Sequence, residues 1–318
     1  MNYFLFRRTL KYLGPVLNAF QKASVKKFAR QSEKGQPVFI LGVPRSGTTL
    51  LYQLISNYFD ILYPDNLVFL CRENPFLGFW LSNKLFKNKP HNCFKSTRGD
   101  TMPCGLHAPN QHPVFWQKYM NALSLYQNSS KILSKKEQRK IYNNVFSVIN
   151  KYQKNLILKG AAVGNNHSFF LNTFPNAKFI FYKRDPLYTA QSLFIESRSL
   201  NQDFESSWMA RIKPYNYELI KNSESEYKKI ALYIHALYTE NYELKQNLDP
   251  NNYISFSYEK ICQNTSDILY DIHQLLGKNQ LIRDKAEIPA LKNNNRQKID
   301  NYEFKLLEKE IKQLNWDK

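Results

Sequence analysis

Residues 38–54 read VFILGVPRSGTTLLYQL: an apolar run, a tight loop from Gly42 to Thr49, and a second apolar run. That order is strand, turn, helix. A glycine-bearing turn between strand and helix gathers several backbone N–H groups at one point. The helix dipole adds positive potential there, so the turn binds an anion. Gly42 and Gly47 are spaced as in the phosphate loop G-x-x-x-x-G-K-[ST], yet Thr48 stands where that loop has its lysine. Arg45 brings the cation from inside the loop instead, and its forked guanidinium can hold a phosphate or sulfate through two bonds. An arginine with the hydroxyls of Thr48 and Thr49 needs no metal. The loop therefore predicts an anion cradle without the lysine and metal of a kinase.

Further along the chain, short β-rich apolar runs alternate with longer helical patterns, which predicts an α/β fold with a central, mainly parallel sheet flanked by helices, P-loop-like at residues 37–54. The remaining strands are expected at 155–160 (NLILKG), 177–184 (AKFIFYKR) and 252–258 (NYISFSY). After the last comes one helix through ICQNTSDILYDIHQLLG, with Gly277 as its C-cap. Between the first two strands lies an insertion, 61–154, in which Ser134 and Glu137 form a capping box that opens a helix to about Tyr152. Residues 86–113, rich in proline, glycine and histidine, read as irregular loop, where function tends to sit. The organisation expected is a basic amphipathic N-terminal helix region over 1–36 and a single domain over 37–318.

The net charge of +19 on 318 residues asks for a polyanionic partner: nucleic acid, an anionic membrane surface, or an anionic substrate. No nucleic-acid motif is visible, so nucleic acid is not expected. Leu10, Leu13, Leu17 and Phe20 share a helical face, with Lys22, Lys26, Lys27 and Arg30 following. Two expectations stand for this helix: it lies peripherally on an anionic membrane, or it packs on the domain. No apolar run is long enough to span a bilayer and no signal peptide is evident, which predicts a cytoplasmic protein, at the inner membrane face if that helix binds lipid. Cys71, Cys93, Cys104 and Cys262 lack metal-ligand spacing and are expected as free thiols.

A second segment carries the functional reading further. FPNAKFIFYKRDPLYTAQSLF (174–194) is a strand ending in Arg184-Asp185-Pro186, then a helix with Ser192 eight residues after the arginine. Together, PRSGTTLL and this segment resemble the two phosphate-binding sites of sulfotransferases that use 3′-phosphoadenosine 5′-phosphosulfate (PAPS), in particular the bacterial-type carbohydrate and lipid sulfotransferase group. The resemblance spans about residues 37–277, strong at the two motifs and loose elsewhere. It implies metal-independent, in-line transfer of a sulfuryl group to a hydroxyl or amine of a carbohydrate, lipid or small-molecule acceptor. It also implies that Arg45, Ser46, Gly47, Thr48 and Thr49 hold the 5′-phosphosulfate and that Arg184 and Ser192 select the 3′-phosphate. Arg296, in the late basic stretch NNNRQK, is a further candidate for that phosphate.

A base must take the acceptor's proton. Histidine titrates near neutral pH and a buried carboxylate can be tuned to, so His107, His112, Asp65 and Glu73 are alternative candidates beside Arg45 in the catalytic set. Ala108, Asn110 and Gln111 occupy positions where the resemblance would place Glu, His and Glu. That departure keeps open a catalytically degenerate nucleotide-binding protein at a membrane surface. A nucleotide kinase is the weaker alternative, for want of the loop lysine and a metal-binding aspartate.

Overall fold

The computed structural model describes residues 8, 12–31, 34–87, 89–97, 99–112, 114–115, 134–160, 167–199, 204–205, 212–277 and 288–316. The four apolar runs become strands β1 (Pro37–Leu41), β2 (Leu156–Lys159), β3 (Lys178–Lys183) and β4 (Tyr253–Ser257). They form one parallel sheet in the order β2-β1-β3-β4, with Val38 opposite both Ile157 and Lys178, and Phe179 opposite Tyr253. Parallel neighbours need crossovers, and these carry the helices. α1 (Gly14–Phe28) precedes the sheet. α2 (Thr48–Tyr58), α3 (Asn66–Leu70), α4 (Pro75–Phe86) and α5 (Lys135–Tyr152) lie between β1 and β2, and α6 (His167–Thr173) between β2 and β3. α7 (Pro186–Ser199), α8 (Tyr217–Lys221) and α9 (Glu226–Gln246) join β3 to β4, and α10 (Tyr258–Gln263), α11 (Thr265–Leu276) and α12 (Asn301–Lys312) follow.

Period-2 alternation divides the sheet's side chains between two cores. Phe39, Leu41, Leu158, Phe179 and Phe181 pack with Phe146 of α5 and Phe170 of α6. Val38, Ile40, Ile157, Ile180 and Phe256 pack with Leu51, Leu54 and Ile55 of α2 and with Ile268 and Ile272 of α11. A third core joins α7, α9 and α12 through Leu193, Tyr233, Ile234 and Leu307. Both faces of the sheet are covered, so β1 is buried along its whole length and its C-terminal end is held fixed beneath the anion loop.

α1 packs on the domain. Phe28 stacks on Phe76 at 5.6 Å, Phe20 meets Phe76 edge-on at 6.0 Å, and the Gln21 amide donates to Asn144 Oδ1 and accepts from the Phe76 N–H. Val16 on its outer face is exposed, as are Tyr12 and Leu13 just before the helix; Leu10 lies outside the described residues. No described helix is long and apolar enough to cross a membrane.

Two expectations change. The helix expected after β4 is two helices, broken at Asn264 (φ −143°, ψ 66°), where the Thr265 hydroxyl donates back to Ile261 O. Cys93 and Cys104 are not free thiols: a disulfide joins them within the 89–112 loop, and only Cys71 and Cys262 remain free. Eleven residues apart in an irregular segment, the pair carries no helical or strand periodicity that would mark it in the sequence.

Candidate functional site

The loop after β1 turns on two left-handed residues, Arg45 (φ 70°) and Gly47 (φ 94°), the second of which caps α2. A glycine adopts that conformation freely; Arg45 holds it at a cost of about 1–2 kcal/mol, which the surrounding packing must offset. Gly42 is pressed from behind, since a Cβ there would lie 2.6 Å from the Tyr182 carbonyl oxygen and 2.7 Å from the Thr48 methyl. The Ser46 N–H donates to Val43 O (3.1 Å) within the turn. The N–H groups of Gly47, Thr48 and Thr49 remain, at a helix start that has no intrahelical acceptors for them. Ser46 contributes a buried hydroxyl without a protein partner.

The second motif lies against the first. Arg45 Nε donates to Ser192 Oγ (3.1 Å), and Arg184 Nη1 donates to the Arg45 carbonyl (3.2 Å). β1 and β3 are neighbours in the sheet, so the loop after one and the arginine at the end of the other meet at a single edge. Arg184 is anchored on several sides. Its N–H and carbonyl both bond the Tyr238 hydroxyl, its guanidinium lies 4.8 Å over the Tyr258 ring, and its Nε donates to Asn295 Oδ1 (2.8 Å).

Asn295 belongs to the segment before α12, which latches onto α7: Gln191 Nε2 donates to Arg296 O and the Lys298 N–H donates to Gln191 Oε1. The Lys298 ammonium is pushed down in pKa first by burial and then by Arg184, Arg296 and Arg45. Four cations therefore crowd one sheet edge. Of the carboxylates, Glu196 comes within 3.9 Å of Arg45, and Glu259 is bonded by the Asp185 N–H and Asn295 Nδ2. This excess of positive charge, with a partnerless buried hydroxyl and open amides among it, suits a ligand with two separated anionic groups.

The four base candidates lie elsewhere in the 61–115 region. Asp65 is fully buried and caps α3: it accepts from the Val68 N–H (2.8 Å) and from Ser82 Oγ (2.5 Å), and lies 3.2 Å from His107 Nδ1. His107 Nε2 sits 2.7 Å from Lys89 O, and its ring stacks on Phe86 at 4.3 Å. His112 packs on Phe69 with Nδ1 buried and partnerless; burial, and then Arg72, push its pKa down to about 4. Glu73 is exposed on the turn between α3 and α4. The structure joins Asp65 to His107.

A sequence model of the sulfotransferase family matches residues 37–279, from β1 through the end of α11. The chain belongs to the sulfotransferase family. No curated protein matches this sulfotransferase significantly. Among solved structures it resembles sulfotransferase STF9 from Mycobacterium avium (14% identity, TM-score 0.48, covering 81% of this chain and 67% of that one). It also resembles STF1 from Mycobacterium tuberculosis (14%, 0.47, 81% and 72%) and a sulfotransferase from Alicyclobacillus acidocaldarius (13%, 0.40, 87% and 96%). Similarities at this level add nothing to the family match.

The sulfotransferase site contains one residue that sequence reasoning missed. Lys159, the last residue of β2, places Nζ 2.8 Å from Thr49 Oγ1 and 2.7 Å from Gln111 Oε1. A lysine ending an apolar strand reads as a solvated terminus; only the parallel pairing of β2 with β1, which sets the two strand ends side by side, brings it to the loop.

Proposed function

We propose that this sulfotransferase takes its sulfuryl group from PAPS and passes it to a hydroxyl or amine of a small-molecule, carbohydrate or lipid acceptor. The contact between Arg45 and Ser192, with Arg184 bonded to the Arg45 carbonyl, carries this reading. It makes the anion loop and the second anion site one continuous surface, as a nucleotide bearing both a 5′-phosphosulfate and a 3′-phosphate requires. Bound PAPS would supply an activated sulfuryl group on a phosphate leaving group. Gly47, Thr48 and Thr49 N–H groups and the Ser46 hydroxyl would hold the 5′ end at the start of α2. Arg45 would neutralise charge as it develops on the leaving oxygen, and its bond to Ser192 keeps the guanidinium from wandering. Arg184, Ser192 and Arg296 would bind the 3′-phosphate, which ATP lacks. The acceptor would enter over the 61–154 crossover, where the loop bearing Gln111 overhangs Thr49.

Calorimetric titration with adenosine 3′,5′-bisphosphate tests the reading, with Arg184→Ala and with ATP plus Mg²⁺ as comparisons. Loss of one charge-assisted phosphate contact is worth about 1.5–3 kcal/mol, so Arg184→Ala should weaken binding by roughly 10- to 150-fold, with ATP bound poorly by both proteins. Preference for ATP with Mg²⁺ in the wild type would overturn the donor assignment.

A further inference from the structure

We propose that α1 and α4 together form an interfacial surface that docks the protein onto an anionic lipid bilayer, with α1 lying in the membrane plane. The surface is separate from the anion site, and its role stands whatever the sulfuryl donor is.

Local geometry is the first ground. α1 divides its residues between neighbouring stripes at helical spacing. Leu17, Gln21, Ser24 and Phe28 turn towards the protein, where Ser24 is buried and Phe28 stacks on Phe76 of α4. Val16, Phe20, Ala23 and Lys27 form the next stripe, and all four are exposed. Phe20 also reaches Trp80, one turn further along α4 than Phe76, meeting it edge-on at 6.2 Å. The two helices therefore run antiparallel. Continued along both, this pairing brings Lys84 and Leu85 in the last turn of α4 towards Val16.

The distribution of exposed apolar groups is the second ground. Among the described residues, eleven large hydrophobic side chains are exposed, and six belong to this face or its entry: Tyr12, Leu13, Val16, Phe20, Trp80 and Leu85. The other five are scattered over Tyr215, α8, α9, α11 and α12. Val16 is 67% exposed and Leu85 63%, so neither contributes to the core. An apolar concentration of this kind marks an interaction surface.

Charge selects the partner. Residues 1–32 hold seven lysines and arginines and no acid, and residues 75–97 hold four and no acid, in a chain with 26 acids. Lys22, Lys26, Lys27, Lys84 and Lys87 are exposed, and no carboxylate among the described residues pairs with them. A nucleic-acid backbone would answer the lysines and leave Val16 and Leu85 unused. An apolar protein face would answer those two and strand the ammonium groups. An anionic bilayer takes both. Val16, Phe20 and Leu85 would enter below the headgroups and Trp80 would sit at their level, while the lysines extend their apolar stems and reach back to lipid phosphates.

Flotation of the full chain with extruded vesicles tests the proposal. Phosphatidylcholine alone should leave the protein behind. Vesicles with about one-third phosphatidylserine should carry it at about 0.1 M salt and release most of it at about 0.5 M. Val16→Glu combined with Leu85→Glu should weaken binding at least about tenfold. Lys22→Glu combined with Lys26→Glu should weaken it at least about 25-fold, since each cation near such a surface is worth roughly fivefold. Lys305→Glu with Lys309→Glu makes the same charge change on exposed positions of α12 and should alter binding less than about threefold. Thermal melts within about 1 °C of wild type and unchanged adenosine 3′,5′-bisphosphate affinity confirm that each variant is folded. Undiminished binding in the Val16/Leu85 pair overturns the proposal, as does an equal loss in the α12 pair, because general attraction of cations would then suffice. A wild type that leaves anionic vesicles unbound overturns it as well. Sedimentation velocity then shows whether a second copy covers the face, as a dimer that the Val16/Leu85 pair dissociates.

Discussion

Gly47→Ala is the sharpest probe of how the two anion sites are coupled. At φ 94° an alanine carries the left-handed penalty of about 1–2 kcal/mol. Its Cβ would also lie 3.0 Å from Tyr258 Cδ2, so the ring must retreat by a few tenths of an ångström. Tyr258 is poorly placed to do so: it is buried, its hydroxyl donates to Lys292 O and accepts from the Asn294 N–H, and its face supports the Arg184 guanidinium. Overpacking of this kind adds about 1–2 kcal/mol, for a total of about 2–4 kcal/mol and a fall in Tm of roughly 4–8 °C. Displacing the cation–π platform should further weaken adenosine 3′,5′-bisphosphate roughly fivefold, the equivalent of about 1 kcal/mol. Thermal melts and calorimetry read both effects. In Gly47→Ala combined with Tyr258→Val, the squeeze is relieved and the joint loss should fall about 1 kcal/mol short of the sum. Strictly additive losses, or a single variant that melts within about 1 °C of wild type, would refute the coupling through Tyr258.

Two further outcomes follow from the base candidates. Asp65→Ala strands the Val68 N–H and the Ser82 hydroxyl, and should cost roughly 3 kcal/mol in urea unfolding while leaving adenosine 3′,5′-bisphosphate affinity unchanged. His112 binds its proton less readily folded, at about 4, than unfolded, at about 6.5, so its contribution to stability is whole above about 6.5 and is lost as pH falls towards 4. Unfolding at pH of about 7.5 and 5 should show a smaller decline for His112→Gln than for wild type; equal declines would remove His112 from the account.

What could be read from the chain alone is what local chemistry determines. The four strands lie within a residue of their expected ends because each is a short apolar run bounded by turn chemistry, and Ser134 and Glu137 form the expected capping box. The Gly42–Thr49 loop and the Arg184–Ser192 segment could be singled out as candidates because each is contiguous in sequence. Lys159 was not, because its meaning depends on Thr49 and Gln111, 110 and 48 residues away. The helices within 61–154 and α12 were not delimited in advance, apart from α5 with its cap. In α4 the apolar residues run nearly all round, and the short α3 takes its start from Asp65, whose partners Ser82, on α4, and His107, on a later turn, are 17 and 42 residues away.

The strand order has a consequence for how such an enzyme can diversify. Arg184 and Ser192, which would read the donor's far phosphate, belong to β3 and the crossover that leaves it; Gln111 belongs to the crossover leaving β1, and Lys159 to the strand where that crossover ends. Only the short anion loop is shared between the two halves. Loops grafted between α2 and β2 could therefore exchange one acceptor for another while the grip on the nucleotide is inherited intact, provided Thr49 and Lys159 still meet at the seam.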